Sequence, residues 1–349
     1  MKTLLKNYSK FVLFLGALFI SCNNQDRKDE KSTDEHYEEG NIIVDKDIKI
    51  FYQKVGDGPE KIVIPMGFLL YDDFKILANE DRTLLFYDMR NRARSSYLVD
   101  STQITIEKDV EDVEMIRKHF NWPKIDIIGE SYLGLMVVMY ALKYPENVED
   151  IVQIGAVPLK SSWWSQYPEE LRNNQSNVDS LAYSELLRLH REEHYLENDY
   201  EFSKMYYEVF EHPDLVADTS YLKKMGPQWK NHLNYSNELY SNYSRHLNLH
   251  FSNSVSKLDI PEKEIKELNN RVLIIHGTLD RNAPYGSGIE WAYLLNNSKL
   301  LTIENAAHIP WVENPDLVFN SIDEFLKGRW PASAKEVINR PIRNANKEN

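Results

Sequence analysis

The chain contains, in this order, three side chains of the types that work together in nucleophilic catalysis: Ser131, Asp280 and His308. A serine hydroxyl becomes a good nucleophile when a histidine takes its proton, and that histidine needs a carboxylate to orient it. Each of the three residues follows a short apolar run, and open parallel sheets place their ligand-binding groups in the loops after strands. Residue types, order and position therefore predict acyl transfer through a covalent serine intermediate.

The serine lies in the stretch "IDIIGESYLG", residues 125 to 134. An apolar strand, a sharp turn and a helix form the context in which the pattern G-x-S-x-G exposes a nucleophilic serine. Gly129 fits that pattern, but Leu133 occupies the position of the second glycine, and Gly134 comes one residue later. The alternative is that Ser131 only caps the helix, since serine is common at helix N-caps.

The elements that would position these residues alternate between strands and helices from about residue 42. Short apolar runs are separated by segments with helical spacing; they read "DIKIFYQKVG", "KIVIP", "TLLFYD", "KIDIIG", "DIVQIG", "RVLIIHG" and "KLLTIE". Near-continuous apolar strands alternating with helices predict an α/β fold with a mostly parallel sheet and helices on both faces. Residues 158–265 have helical patterns instead, so we expect a helical cap between two core segments, 42–157 and 266–330.

Length and charge limit the possible functions. The chain has 349 residues, 42% of them hydrophobic, which suits one catalytic domain with an insertion. Its formal net charge of -13 and the lack of a basic stripe argue against a nucleic-acid partner. The basic stretch "NRPIRNANK" in the tail, residues 331–349, is expected to be solvated.

The N-terminus predicts export and attachment to a membrane. Residues 1–21 have lysines followed by an apolar run, as in a secretory signal. Cys22, the only cysteine, follows that run directly and resembles the lipidated cysteine of bacterial lipoproteins, which would place the protein at the outer membrane or cell surface. The alternative is an uncleaved anchor with a chance cysteine. Residues 22–41 are charged and nearly free of apolar residues, so we expect a flexible tether.

The motifs together resemble the α/β-hydrolase superfamily, and within it the proline iminopeptidase-like branch. "FYDMRNRARSS" is similar to a family segment that follows a strand, and "LIIHGTLDRNAP" and "AAHIPWVENPDLVFNSIDEFL" are similar to its acid and histidine loops. The resemblance extends over roughly residues 45 to 328. It implies the α/β-hydrolase fold, a Ser131, Asp280 and His308 triad without metal or cofactor, and aminopeptidase activity on short peptides.

The oxyanion hole is where the sequence departs most from this family. The family usually has a histidine and glycine after the strand that precedes the first helix, whereas this chain has "IPMGFLLYDDF". Met66 replaces the histidine and Gly67 is kept. We therefore expect the backbone N–H groups of Phe68 and Tyr132 to bind the oxyanion.

Substrate selection is expected to depend on the cap. A helical cap would restrict entry to small or terminal groups, and Trp163, Trp164 and Trp229 could form an apolar wall. A substrate ammonium there would need a carboxylate, because an unpaired buried charge is costly; the candidates are Glu192 and Glu193. Two alternatives to an aminopeptidase remain: an esterase or lipase-like enzyme with the same triad, and a noncatalytic surface binding lipoprotein.

Overall fold

The computed structural model describes residues 36–172, 176–194, 199–231, 255–258 and 260–344. The predicted signal segment and Cys22 lie outside these residues. Within the described part, residues from His36 onward belong to one compact unit. No helix in the described ranges is long and apolar enough to cross a membrane.

An eight-stranded sheet forms the centre of this unit, in the spatial order β1-β2-β4-β3-β5-β6-β7-β8. Strand β2 pairs antiparallel with β1 and β4, and the other pairings are parallel. The strands are β1 (Tyr37–Asp45), β2 (Ile48–Val55), β3 (Glu60–Pro65), β4 (Arg82–Tyr87), β5 (Ile125–Glu130), β6 (Val148–Ile154), β7 (Arg271–Gly277) and β8 (Ser298–Ile303). All six residues of β4 and of β5 are buried, as expected for strands covered on both faces.

Helices accompany the strands along the described chain. They are α1 (Gly67–Phe74), α2 (Ile106–His119), α3 (Tyr132–Lys143), α4 (Glu169–Arg172), α5 (Ser180–Arg191), α6 (Asp199–Tyr206), α7 (His212–Asp214), α8 (Gln228–Asn231), α9 (Glu262–Glu267), α10 (Tyr285–Leu294), α11 (Pro310–Glu313) and α12 (Pro315–Leu326). A π-helical turn, Tyr207–Glu211, joins α6 to α7. The mostly parallel sheet with these helices confirms the predicted α/β-hydrolase fold class.

The sheet begins earlier than the sequence predicts. Strand β1 starts at Tyr37, inside the segment expected to be a tether up to residue 41, and Tyr37 pairs with Val55 of β2. Its first residues are exposed, whereas Ile42 and Val44 are buried. A charged edge strand of this kind lacks the apolar pattern by which buried strands are recognised, because only one end of it contributes to the core.

The predicted cap contains helices and turns but no strand in those parts of residues 158–265 that the structure describes. Local sequence accounts for one of these helices: the Asp179 side chain accepts hydrogen bonds from the N–H groups of Leu181 and Ala182 at the start of α5. The boundaries of the cap stay a prediction.

The C-terminal tail packs against the unit, contrary to the expectation of a solvated end. Arg340 forms ion pairs with Glu262 and Glu290. The guanidinium carbon of Arg343 lies 3.7 Å from the ring centroid of Trp163, in the first part of the predicted cap. Glu290 is almost fully buried, so these arginines neutralise a carboxylate that would otherwise be costly to bury.

Candidate active site

Ser131 occupies a strained turn between the end of β5 and the start of α3. Its backbone has φ 57° and ψ -122°, a conformation that non-glycine residues rarely adopt. The turn is held by the Ser131 N–H, which donates to Ile154 O at 2.9 Å, and by the Ser131 carbonyl, which accepts from Gly134 N at 3.0 Å. This strand, strained serine and helix have the backbone geometry of a nucleophile elbow, and the role of Ser131 as a nucleophile stays a prediction.

Two glycines allow the elbow to form. A Cβ on Gly129 would lie 2.3 Å from the carbonyl oxygen of Leu133, and a Cβ on Gly134 would lie 2.7 Å from the Cβ of Ala156 after β6. Close approach to the neighbouring strand therefore requires a small residue at Gly134, not at the position before it. Leu133 is fully buried in the core, which explains how the sequence departs from the G-x-S-x-G spacing.

Asp280 lies in the loop after β7, with its carboxylate fully buried. Oδ1 accepts hydrogen bonds from the backbone N–H groups of Asn282 at 2.9 Å and Ala283 at 2.8 Å. Oδ2 lies 2.8 Å from Nδ1 of His308 and 3.3 Å from Nε2 of His276. Burial disfavours the charge on Asp280, but the two histidines outweigh it and hold its pKa well below the usual range.

His308 lies in the loop between β8 and α11 and contacts a carboxylate on each side. Its Nδ1 faces Asp280, and its Nε2 lies 3.0 Å from Oε1 of Glu130, the residue directly before Ser131. Burial disfavours a charge on His308, but the two carboxylates outweigh it and raise the pKa to about 10. The sequence analysis missed Glu130, although its place beside the serine in "GESYLG" is a signal that could have identified it.

The predicted oxyanion hole needs a correction at one of its two donors. The N–H of Phe68 donates to Oδ1 of buried Asp88 at 2.8 Å, so this group is already used within the core. Tyr132 is the first residue of α3 and follows Ser131 directly, so its backbone N–H stays a predicted donor to the oxyanion.

A cavity of about 330 Å³ contains both Ser131 and His308 in its wall. Its other lining residues include five aromatic side chains and five charged ones: Tyr132, Trp164, Tyr207, Phe210, Trp229, Arg92, Glu130, Glu211, Asp214 and Arg281. The cavity is thus partly apolar and contains carboxylates and arginines close to Ser131, as substrate sites do.

The structure brings only some of the predicted substrate contacts to this cavity. Of the three predicted tryptophans, Trp164 and Trp229 line it, whereas Trp163 is buried against Arg343. Glu192 and Glu193 are exposed at the end of α5, where Glu192 forms an ion pair with Arg188 at 2.5 Å. Neither glutamate is among the described residues that line the cavity.

Glu211, in the π-helical turn of the cap, is the acid that the sequence analysis missed. Within the described ranges, no hydrogen bond joins its carboxylate to another residue, although Arg92 and His308 act on it electrostatically. Burial raises the pKa of Glu211 to about 7, against the opposing effect of those two groups. Its local sequence, "VFEHPD", gives no indication that this acid faces the cavity.

Comparison with known proteins identifies the family. The model of the alpha/beta hydrolase fold family matches residues 65–315, and the chain therefore belongs to the α/β-hydrolase fold family. This range includes Ser131, Asp280 and His308.

Individual relatives are more distant. The proline iminopeptidase of Saccharolobus solfataricus is 30% identical over 106 residues, which cover 29% of this chain and 34% of that protein. The proline iminopeptidase of Lactobacillus helveticus is 23% identical over 309 residues, covering 79% of this chain and 93% of that protein. The crystal structure of Mycobacterium smegmatis proline iminopeptidase superposes with a TM-score of 0.62 at 14% identity, covering 83% and 98% of the two chains.

Proposed function

We propose that this protein is an exported serine hydrolase that uses Ser131, His308 and Asp280 as a catalytic triad. The observation that carries the proposal is a strained serine elbow sharing one cavity with a histidine whose Nδ1 lies 2.8 Å from a buried aspartate. A noncatalytic binding protein would have no need for backbone strain at a serine, which typically costs about 1–3 kcal/mol.

The proposed reaction proceeds in two acyl-transfer steps. Ser131 Oγ attacks the substrate carbonyl carbon while neutral His308 accepts the hydroxyl proton at Nε2. The tetrahedral intermediate then expels the leaving group, which receives that proton, and an acyl-serine ester forms. Water attacks the ester carbonyl and gives a proton to His308. The second tetrahedral intermediate then breaks its bond to Ser131 Oγ, which takes that proton back from His308, and the acid is released. The N–H of Tyr132 is one donor to the oxyanion.

The substrate class that we propose is a short peptide with a free N-terminus, which makes the enzyme an aminopeptidase similar to proline iminopeptidases. Several relatives bear that name, and the chain covers most of the Lactobacillus helveticus protein. Glu211 supports the proposal, because its carboxylate faces a partly apolar cavity in which an ammonium would need a partner. The aromatic lining would equally suit the acyl group of an ester, which is the competing substrate class.

Acetylation of the substrate amino group is expected to abolish cleavage of short peptides and aminoacyl amides. At about pH 8, where most Glu211 carboxylates are ionised because their pKa is about 7, Glu211→Gln should raise KM for free-amine substrates about tenfold or more while changing kcat much less. Steady-state kinetics with paired free and acetylated substrates and with a short-chain ester provide the measurement.

Glu192→Gln is the matched control for this experiment, because Glu192 is a cap glutamate that lies outside the described cavity wall. It should leave KM unchanged. Equal turnover of blocked and free-amine substrates would reject the aminopeptidase proposal in favour of the esterase.

The membrane association rests on the sequence alone, because Cys22 lies outside the described residues. We propose that Cys22 carries the lipid anchor after removal of residues 1–21. The full-length protein, produced in a bacterium that processes lipoproteins, should fractionate with membranes. A variant that lacks the signal and carries Cys22→Ala should be soluble. A single acyl chain binds membranes only marginally, so stable association requires more than one chain.

The Ser131→Ala variant with an intact N-terminus is the control, and it should stay in the membrane fraction. Release of the wild-type protein by high salt alone would contradict a lipid anchor, because salt weakens charge interactions and leaves acyl-chain insertion intact.

A further inference from the structure

Glu130 is a second carboxylate at the histidine of the proposed triad. It is the last residue of β5, its side chain is 6% exposed, and it lines the same cavity as Ser131. Its Oε1 lies 3.0 Å from Nε2 of His308. Nε2 is the nitrogen that must accept the Ser131 proton, so Glu130 and Ser131 compete for one atom.

The competition determines the protonation state of the histidine. An ionised carboxylate only accepts hydrogen bonds, so Nε2 must carry a proton to bond with Glu130. Nδ1 must also carry a proton to bond with Asp280, at 2.8 Å. With a proton on both nitrogens the ring is an imidazolium, which has no lone pair for the serine proton.

The surroundings of His308 favour this charged form. Glu130 on β5 and Asp280 after β7 contact the ring directly, and Glu211 in the cap acts on it electrostatically. Two further titratable groups lie nearby: His276 on β7 contacts Asp280, and Glu313 on α11 accepts a hydrogen bond from the N–H of Ala307. The remaining charged groups line the cavity: Arg92, Asp214 and Arg281. Although Arg92 and Arg281 are positively charged, Asp280 and Glu130 raise the pKa of His308 to about 10.

We propose that Glu130 is a positioning residue that holds His308 in its protonated, non-basic form in the unliganded site, so that Ser131 becomes reactive only when this proton is lost. The inference rests on the proposed triad. Below the folded-state pKa of the unliganded site, most molecules keep His308 bonded to Glu130, and only the small fraction with neutral His308 has a reactive Ser131. Above it, neutral His308 presents the Nε2 lone pair to the serine. Removing the charge of Glu130 should therefore allow reactivity at lower pH.

The rate of labelling by a fluorophosphonate probe tests the proposed role of Glu130. The probe reacts with an activated serine, and it has no amine for the cap to recognise. The rate is measured on the full chain from about pH 5 to about pH 11, a range that includes the ordinary histidine pKa and the raised value of about 10. In Glu130→Gln, the midpoint of the rise in rate with pH should move down by about 1–3 units, the usual effect of one adjacent charge. Glu211→Gln, which removes a carboxylate that has no hydrogen bond to His308, should move the midpoint less.

The outcomes separate this inference from the proposed function. A wild-type protein that is not labelled at any pH would overturn the triad itself. Labelling with the same midpoint in wild type and in Glu130→Gln would overturn only the role of Glu130. If circular dichroism shows that the variant does not fold, the wild-type protein provides the test. The titration of His308 is then followed by NMR of its ring protons. A midpoint well above the ordinary value of about 6.5 supports the inference, and a midpoint at or below that value overturns it.

Discussion

Replacing Ser131 with alanine is expected to abolish both hydrolysis and covalent labelling by a fluorophosphonate. The hydroxyl is the only group removed, and in the proposed mechanism its oxygen forms the bond to the acyl group. Loss of a serine nucleophile typically lowers kcat by about 10⁴-fold or more, with a remainder that comes from binding and oxyanion stabilisation. Steady-state rates on an activated ester and in-gel labelling of the purified protein give the measurement.

The variant should fold as the wild type does. Alanine has the same strain as serine at φ 57°, and the backbone bonds to Ile154 and Gly134 are unchanged. Ser184→Ala is the matched control, because Ser184 is exposed on α5 and its hydroxyl donates within the helix, to Ser180 O at 2.8 Å. This control should keep full activity and labelling. Labelling of Ser131→Ala at the wild-type rate would show that another residue is the nucleophile.

Local patterns were sufficient to predict the elements that carry Ser131, Asp280 and His308. Each lies after a strong apolar run, and the runs became β5, β7 and β8. Strands buried on both faces have a composition that can be recognised without knowledge of their neighbours. The chain order of the three residues added the expectation that their loops share one edge of the sheet, and the structure places Asp280 and His308 in contact.

Contacts between distant segments could not be predicted in the same way. The N–H of Phe68 donates to Asp88, which lies in the loop after another strand. The sequence around Phe68 therefore does not indicate that this N–H already has an acceptor. Glu211 faces the cavity and Glu192 does not, because the packing of the cap decides which side of each helix is covered. The pairing of Arg340 with Glu290 likewise depends on how the tail folds back.

Glu130 is a different case, because it lies next to a residue that the sequence did identify. In the pattern G-x-S-x-G the position before the serine is treated as variable, and no local rule assigns its side chain a partner. The strained turn directs Ser131 and Glu130 into one cavity, which also contains His308 from a loop that is far away in the sequence. Its effect on the histidine is therefore a property of the folded site.

Replacing Asp280 with asparagine is expected to lower kcat by about 10⁴-fold while leaving the loop in place. The two backbone N–H groups of Asn282 and Ala283 would keep an oxygen at the Oδ1 position, so the new amide nitrogen would face Nδ1 of His308. An amide nitrogen donates, so Nδ1 would have to accept and the proton of neutral His308 would move to Nε2. That tautomer cannot take a proton from Ser131.

The same substitution removes a negative charge beside the imidazolium, so the pKa of His308 should fall and the pH dependence of the residual activity should shift to lower pH. Asp72→Asn is the control, since Asp72 is exposed on α1 and pairs with Lys75, and it should change neither the rate nor the pH profile. Rates across the pH range, with thermal unfolding of both variants, give the measurement. Full activity of Asp280→Asn would remove Asp280 from the triad.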